Sequence, residues 1–340
     1  MKFLSNALNN IICNIKSARV CSTFHPKPPW NVLFFGTDEF SLYSLKALSS
    51  ESVRGVLVNK LEIASLSQGS HNTVWNYAEK ENMLVHNWPV SIENGSFHLG
   101  VVVSFGKLIP ESIINKFPFG ILNVHASLLP RWRGAAPIIY TLAKGDSETG
   151  ITIMRIKPNK FDVGEIVAQE RVPVPKNVFM PELRQRLGQL GAECLVKTLR
   201  NLPESLENAR PQSNEKVTLA PKITPDFATI DWMNMQSSDV YNLYRALHGF
   251  LSPTTSWKGI PVKLHDIEEC NESITHANEE PIGVGYVKYD KRTKALRIIC
   301  SNRTCISVGK ISVFGKKVMS ASDFNNGYLK KVFPSDRYFR

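Results

Sequence analysis

Between residues 31 and 125, short apolar β-rich runs alternate with helix-patterned ones, and that alternation leaves few folds open. Asn31–Gly36, Val53–Val58, Leu84–Trp88, Leu99–Ser104 and Gly120–Val124 read as strands. Between them, Ser41–Ser49 carries Leu42, Leu45 and Leu48 at helical spacing, and Asn72–Glu81 and Glu111–Lys116 are helix-patterned as well. Strands alternating with helices build a doubly wound parallel sheet, so an α/β, Rossmann-like domain is expected. No Gly-x-Gly-x-x-Gly follows the first strand; Gly36 stands alone in Gly-Thr-Asp-Glu-Phe, and the dinucleotide signature is missing.

The rest of the chain predicts a second domain. Ile151–Ile156 and Glu165–Val172 read as strands around a loop centred on Pro158 and Asp162. Met180–Arg200 reads as a long helix with Pro181 near its start and Leu183, Leu187, Leu190, Cys194 and Leu199 as the buried stripe. Residues 202–225 then turn polar and proline-rich (Pro203, Pro211, Pro221, Pro225), as a linker does. A helix near Ser238–Gly249 follows. Alternation in Ile282–Tyr289 and Ala295–Cys300 suits a small C-terminal β-barrel. The expected organisation is a leader over residues 1–30, a domain over 31–201, a linker over 202–225 and a barrel over 226–340.

The leader rests on composition. Asp38 is the first acidic residue, preceded by Lys2, Lys16, Arg19 and Lys27 among Ser, Asn and short apolar groups. That is the balance of an amphipathic mitochondrial transit peptide, with Arg19–Ser22 as a cleavage point. Asn9, Asn10 and Asn14 interrupt the long apolar core that a secretory signal needs. No apolar run approaches the roughly 18 residues of a membrane helix, so no membrane association is expected. The six cysteines are scattered without C-x-x-C or histidine spacing, which speaks against a zinc site or a disulfide framework.

Charge is uneven. Residues 281–340 hold thirteen Lys and Arg against three Asp, a net +10 in a chain of net +11. A barrel of that charge attracts polyanions such as RNA.

The chemistry concentrates in residues 120–137, Gly-Ile-Leu-Asn-Val-His-Ala-Ser-Leu-Leu-Pro-Arg-Trp-Arg-Gly-Ala-Ala-Pro. On a strand, Asn123 and His125 project from one face, about 7 Å apart along the backbone. They stand at the carboxyl end, where open α/β sheets place ligands. An amide donor beside a titratable imidazole suits attack of an amine on a carbonyl.

The run resembles the signature of the folate-dependent formyltransferases, and Arg131–Pro137 resembles their methionyl-tRNA branch. Phe35-Gly36-Thr37-x-x-Phe40, Val101–Gly106, Gly150–Met154, Asp231-Trp232, Pro261-Val262-Lys263 and Gly315–Ala321 resemble that branch in order, over about residues 31–325. The resemblance implies formyl transfer from 10-formyltetrahydrofolate to the α-amine of methionyl-tRNA, without metal, by a monomer in the mitochondrial matrix. It implies that Asn123 and His125 are catalytic: Asn123 serves the oxyanion, and His125 is a second oxyanion partner or the proton acceptor. Asp162, in Phe161-Asp162-Val163-Gly164, would complete the set by orienting and tuning His125. Ser127, Leu128, Leu129 and Pro130 would contact the folate, and the barrel would be of oligonucleotide-binding type.

Two departures stand out. The stretch from Gly150 to Asp162 is one residue longer than the bacterial pattern, at Lys157-Pro158-Asn159-Lys160. Residues 59–72 replace a basic bacterial loop with a segment in which Lys60 is the clear cation, so a weaker grip on the acceptor stem is expected. Formylation of a small amine, hydrolysis of the formyl donor and RNA binding without catalysis are rival readings. The basic barrel argues against the first, and intact Asn123, His125 and Asp162 argue against the last.

Overall fold

The structure, a computed structural model, describes residues 27–68, 70–270 and 283–340. The expected leader, with Cys13, Cys21 and the expected Arg19–Ser22 cleavage point, lies outside the described residues except for its last four positions.

The first sheet has seven strands: β1 (Trp30–Gly36), β2 (Val58–Ser65), β3 (Val85–Asn87), β4 (Leu99–Val103), β5 (Ile121–His125), β6 (Glu148–Arg155) and β7 (Ile166–Pro173). Their spatial order is β3-β2-β1-β4-β5-β6-β7. The first five run parallel, and β6 and β7 add an antiparallel edge. Helices α1 (Glu39–Arg54), α2 (Thr73–Lys80), α3 (Glu111–Ile114), α4 (Pro137–Ala143) and α5 (Met180–Arg200) connect or cover these strands. Both faces of β1 are buried, which is why it reads as one apolar run. Val32 and Phe34 pack with Leu45, Leu187 and Leu195 of the covering helices, while Leu33 and Phe35 enter a second core with Phe105 and Phe117.

The expected strand at Val53–Val58 is corrected. Helix α1 runs to Arg54, and β2 begins at Val58. The valines favour a strand, yet tertiary contacts prevail. Glu51 on the buried face accepts from Arg54 at 2.9 Å and Arg200 at 3.0 Å, leaving Val53 exposed on the outer face until Gly55 caps the helix. The segment 59–72 is therefore mostly sheet. Lys60 pairs with Glu62 at 2.8 Å and stands 4.4 Å from the Phe97 ring centre.

Past α5 and a one-turn helix α6 (Glu204–Glu207), a second unit starts near residue 225. It holds α7 (Ser237–Leu247), β8 (Thr254–Trp257), β9 (Ile260–Glu269), β10 (Val287–Asp290), β11 (Ala295–Ile299), β12 (Cys305–Val313), β13 (Met319–Ser320) and α8 (Ala321–Gly327). The antiparallel order is β8-β9-β12-β11-β10, with β13 on β12. The sheet curls into a half-barrel whose two edges are bridged by the chain's own end. Phe339 bridges Trp257 and Tyr338 bridges Tyr286, with Phe339 packed on Trp257 and Phe324 at 5.5 and 5.9 Å. These bridges cover part of edges that would otherwise be left open.

Arg245 of α7 joins the two units. It is buried and donates to the carbonyls of Leu142, Pro175 and Val178 at 3.3–3.4 Å and to Asn242 at 2.8 Å. Burial holds its guanidinium below the ordinary arginine value. Among the described residues, no helix is long and apolar enough to cross a membrane.

Candidate active site

Strand β5 carries the site at its carboxyl end. Alternation turns Leu122 and Val124 into the core beneath α5. Asn123 and His125 face the other way, Asn123 level with Val102 and Met154, His125 level with Thr152. His125 is buried and Asn123 half-buried.

Asp162 arrives from the turn between β6 and β7. Its backbone is left-handed, at φ +53°, a region that Asp tolerates better than most side chains. Gly164 permits the turn, because a Cβ there would lie 1.6 Å from the Arg155 carbonyl oxygen. The buried carboxylate is met from three sides. Asn123 Nδ2 donates to Oδ1 at 3.1 Å, the Gly134 N–H donates to Oδ2 at 2.9 Å, and His125 Nδ1 lies 3.6 Å from Oδ1. The structure thus brings Asn123, His125 and Asp162 together from sequence positions 39 apart at most.

The other ring nitrogen fixes the tautomer. His125 Nε2 lies 2.9 Å from the Trp132 carbonyl oxygen, which can only accept, so Nε2 carries hydrogen. With Nε2 so engaged, Nδ1 is the ring nitrogen that faces Asp162 and can give or take a proton there. A proton arriving at Nδ1 converts that contact into an ion pair. The cluster therefore has a place for one transferable proton, beside an amide with a second N–H to offer.

The loop over residues 131–137 is held rigidly. Arg131 forks onto Asp146 at 2.6 and 2.7 Å, and Trp132 Nε1 donates to the same carboxylate at 2.8 Å. Gly134 has φ +125°, and a Cβ there would come 2.6 Å from the Ala220 carbonyl oxygen. The segment before the barrel is stitched to this loop: Thr218 Oγ1 accepts from the Trp132 N–H at 2.9 Å, and Ala220 exchanges hydrogen bonds with Arg133 and Ala136. Gln212 ties the parts together. Its Oε1 accepts from Arg133 at 2.6 and 3.0 Å, and its Nε2 donates to the carbonyls of Asp162 and Gly164 at 2.9 and 2.8 Å. Sequence reasoning missed Gln212, since a glutamine in a polar, proline-rich stretch carries no signal.

A cavity of about 580 Å³ opens over the three polar residues. Val102, Phe105, Ile109 and Met154 supply apolar wall, and Ser104 polar edge. Ser127, Leu128, Leu129 and Pro130 do not line it. Ser127 and Leu129 are buried behind it, where Thr152 Oγ1 links them, donating to the Ser127 carbonyl at 2.7 Å and accepting from the Leu129 N–H at 3.1 Å. Leu129 packs with Met154 and Ile166.

Similarity to known proteins agrees with this architecture. Residues 77–199 match the formyl transferase family, and residues 222–329 match the formyl transferase C-terminal domain. The chain is 42% identical over 315 residues to the mitochondrial methionyl-tRNA formyltransferase of Homo sapiens, covering 91% of this chain and 80% of that one. Identity is 30% over 310 residues to the methionyl-tRNA formyltransferase of Alcanivorax borkumensis, covering 88% and 92%. In fold, the chain is similar to the sugar 3N-formyl transferase WlaRD, with a TM-score of 0.61 over 84% of this chain and 98% of that chain at 17% identity. Two family matches that flank residues 200–221, and relatives this similar along some nine-tenths of the chain, lead to one conclusion: it belongs to the methionyl-tRNA formyltransferase family.

Proposed function

We propose that this chain transfers the formyl group from N10 of 10-formyltetrahydrofolate to the α-amine of methionyl-tRNA, acting as a monomer in the mitochondrial matrix to supply formyl-methionyl-tRNA for translation initiation. One observation carries the reading: Asn123, His125 and Asp162 converge on one cavity in a chain so similar to mitochondrial methionyl-tRNA formyltransferases. The cavity volume falls within the roughly 300–1,000 Å³ typical of small-molecule sites, and its apolar walls suit a flat pterin.

The attacking amine, whose free form titrates near ~8, adds to the formyl carbon, and the carbonyl oxygen takes up negative charge. The second N–H of Asn123 Nδ2 meets that charge; one preaimed donor in a dry site contributes about 3–4 kcal/mol. Nδ1 of His125 takes the amine proton and is then paired with Asp162. With Nε2 engaged by Trp132, the ring suits the proton-acceptor role better than that of a second oxyanion donor. Return of the proton to N10 as the C–N bond breaks completes the transfer. Ser127 and Leu129 support the cavity from behind.

Protein beginning at Ser22 should formylate methionyl-tRNA with 10-formyltetrahydrofolate. The readout is formyl-methionine released from the tRNA by mild base. Formate production at the same rate without tRNA would identify a hydrolase instead.

A further inference from the structure

The cavity mouth is built differently from its floor. The insertion noted in the sequence, Lys157-Pro158-Asn159-Lys160, forms a tight turn closed by a bridge between its two lysines, with Asn159 at φ +60°. It presents Lys157 and Lys160 to solvent, followed at once by Phe161, a residue that is 55% exposed. Phe250 comes to the same mouth from the second unit and is 57% exposed. It follows α7, the helix that Arg245 anchors against the first unit, so its place over the cavity is fixed by buried contacts. Lys107 lines the mouth as well.

These cations are differently engaged. Lys157 is 4.0 Å from Glu165. Among the described residues, no carboxylate lies within ion-pair distance of Lys107 or Lys160. Lys60, the cation of segment 59–72, is already held by Glu62 and Phe97. Two exposed aromatic side chains lining one cavity offer flat faces on which a planar ring can stack. Aromatic rings interleaved with unpaired cations fit single-stranded nucleic acid, whose bases stack while its phosphates meet the charge.

We infer that the turn over residues 157–161 and Phe250 grip the 3′-terminal nucleotide of the acceptor strand: the base stacks on Phe161 and Phe250, and Lys107, Lys157 and Lys160 face its phosphates. The inference rests on the formylation of methionyl-tRNA proposed above. It assigns the final placement of the aminoacyl end to residues of both units rather than to the barrel alone. Stacking reads any base weakly, so the grip sets position and affinity rather than the choice of tRNA.

The test uses the full chain, methionyl-tRNA for turnover, and a tRNA transcript with 2-aminopurine in place of its terminal adenine. Stacking quenches 2-aminopurine. Wild-type protein should quench it at saturation; Phe250→Ala should restore the emission and raise KM for methionyl-tRNA about tenfold. KM for 10-formyltetrahydrofolate should stay within twofold, and Phe250→Trp should recover both readouts. Lys157→Ala combined with Lys160→Ala should raise the same KM and flatten its salt dependence. Unquenched emission at saturating wild-type protein overturns the stacking site while leaving formyl transfer standing, as does an unchanged KM in Phe250→Ala. No formyl transfer by the wild type overturns both readings.

Discussion

Gln212 Nε2 donates to the backbone carbonyl of Asp162 at 2.9 Å, so a residue of the segment between the two units holds the peptide that aims the site's carboxylate. The same amide bonds the Gly164 carbonyl, and its oxygen takes Arg133 from the opposite loop. Asp162 keeps a left-handed backbone, and such conformations persist where the surroundings over-determine them. Gln212→Ala should therefore lower kcat about tenfold while both KM values change less than twofold. Gln212→Asn, one methylene too short, should not rescue it. Wild-type kcat in Gln212→Ala would show that the turn holds its own shape.

The three converging residues should fail in distinguishable ways. Asn123→Ala removes the proposed oxyanion donor and one of the donors to Asp162, and His125→Ala removes the proton acceptor; each should cut kcat about a hundredfold. Asp162→Asn preserves shape and can still accept from Gly134, but it cannot pair with a protonated His125. Its kcat should fall comparably with the melting temperature nearly unchanged. Near-wild-type turnover in a folded Asp162→Ala protein would remove Asp162 from the catalytic set.

Much of this was legible in the sequence because the central strands β1, β4 and β5 are buried on both faces and read as apolar runs. The pairing of Asn123 with His125 follows from strand alternation alone. The approach of Asp162 does not: it depends on a turn that Gly164 permits and Gln212 clamps, contacts that span 28–50 residues. Strand β2 was hidden because its polar residues, Asn59, Lys60 and Glu62, read as a loop while Val53 and Val56 imitated a strand. Phe250 gave no signal, since a single aromatic after a glycine looks the same whether it packs or points at a cavity.

Burial of two thiols sets a pH limit on stability. It pushes Cys194 up to about 11 and Cys300 up to about 12, from a reference near 9. Below about pH 8 both thiols are almost wholly neutral in the folded and the unfolded chain alike, and stability is unaffected by them. Between pH 9 and 11 the unfolded chain ionises them and the folded chain does not, so stability falls as pH rises. The denaturation midpoint should drop over that range, and Cys194→Ser with Cys300→Ala should flatten the drop. In the folded wild type at pH 8, alkylation followed by peptide mapping should leave Cys194 and Cys300 unmodified.

Lys316 and Lys317 stand exposed on the turn between β12 and β13, in the unit whose last sixty residues carry a net +10. If the barrel holds tRNA through phosphates, each contact releases counterions and contributes about 0.7–0.9 to the slope of log affinity against log salt. Replacing both lysines with Ala should raise KM for methionyl-tRNA and reduce that slope by somewhat under two. The folate affinity should hold, because the cavity belongs almost wholly to the first unit. Exposed charges often contribute little, so the slope is the more decisive readout than KM alone. Parallel salt plots for mutant and wild type would take these two lysines off the RNA surface and shift attention to the other cations of the barrel.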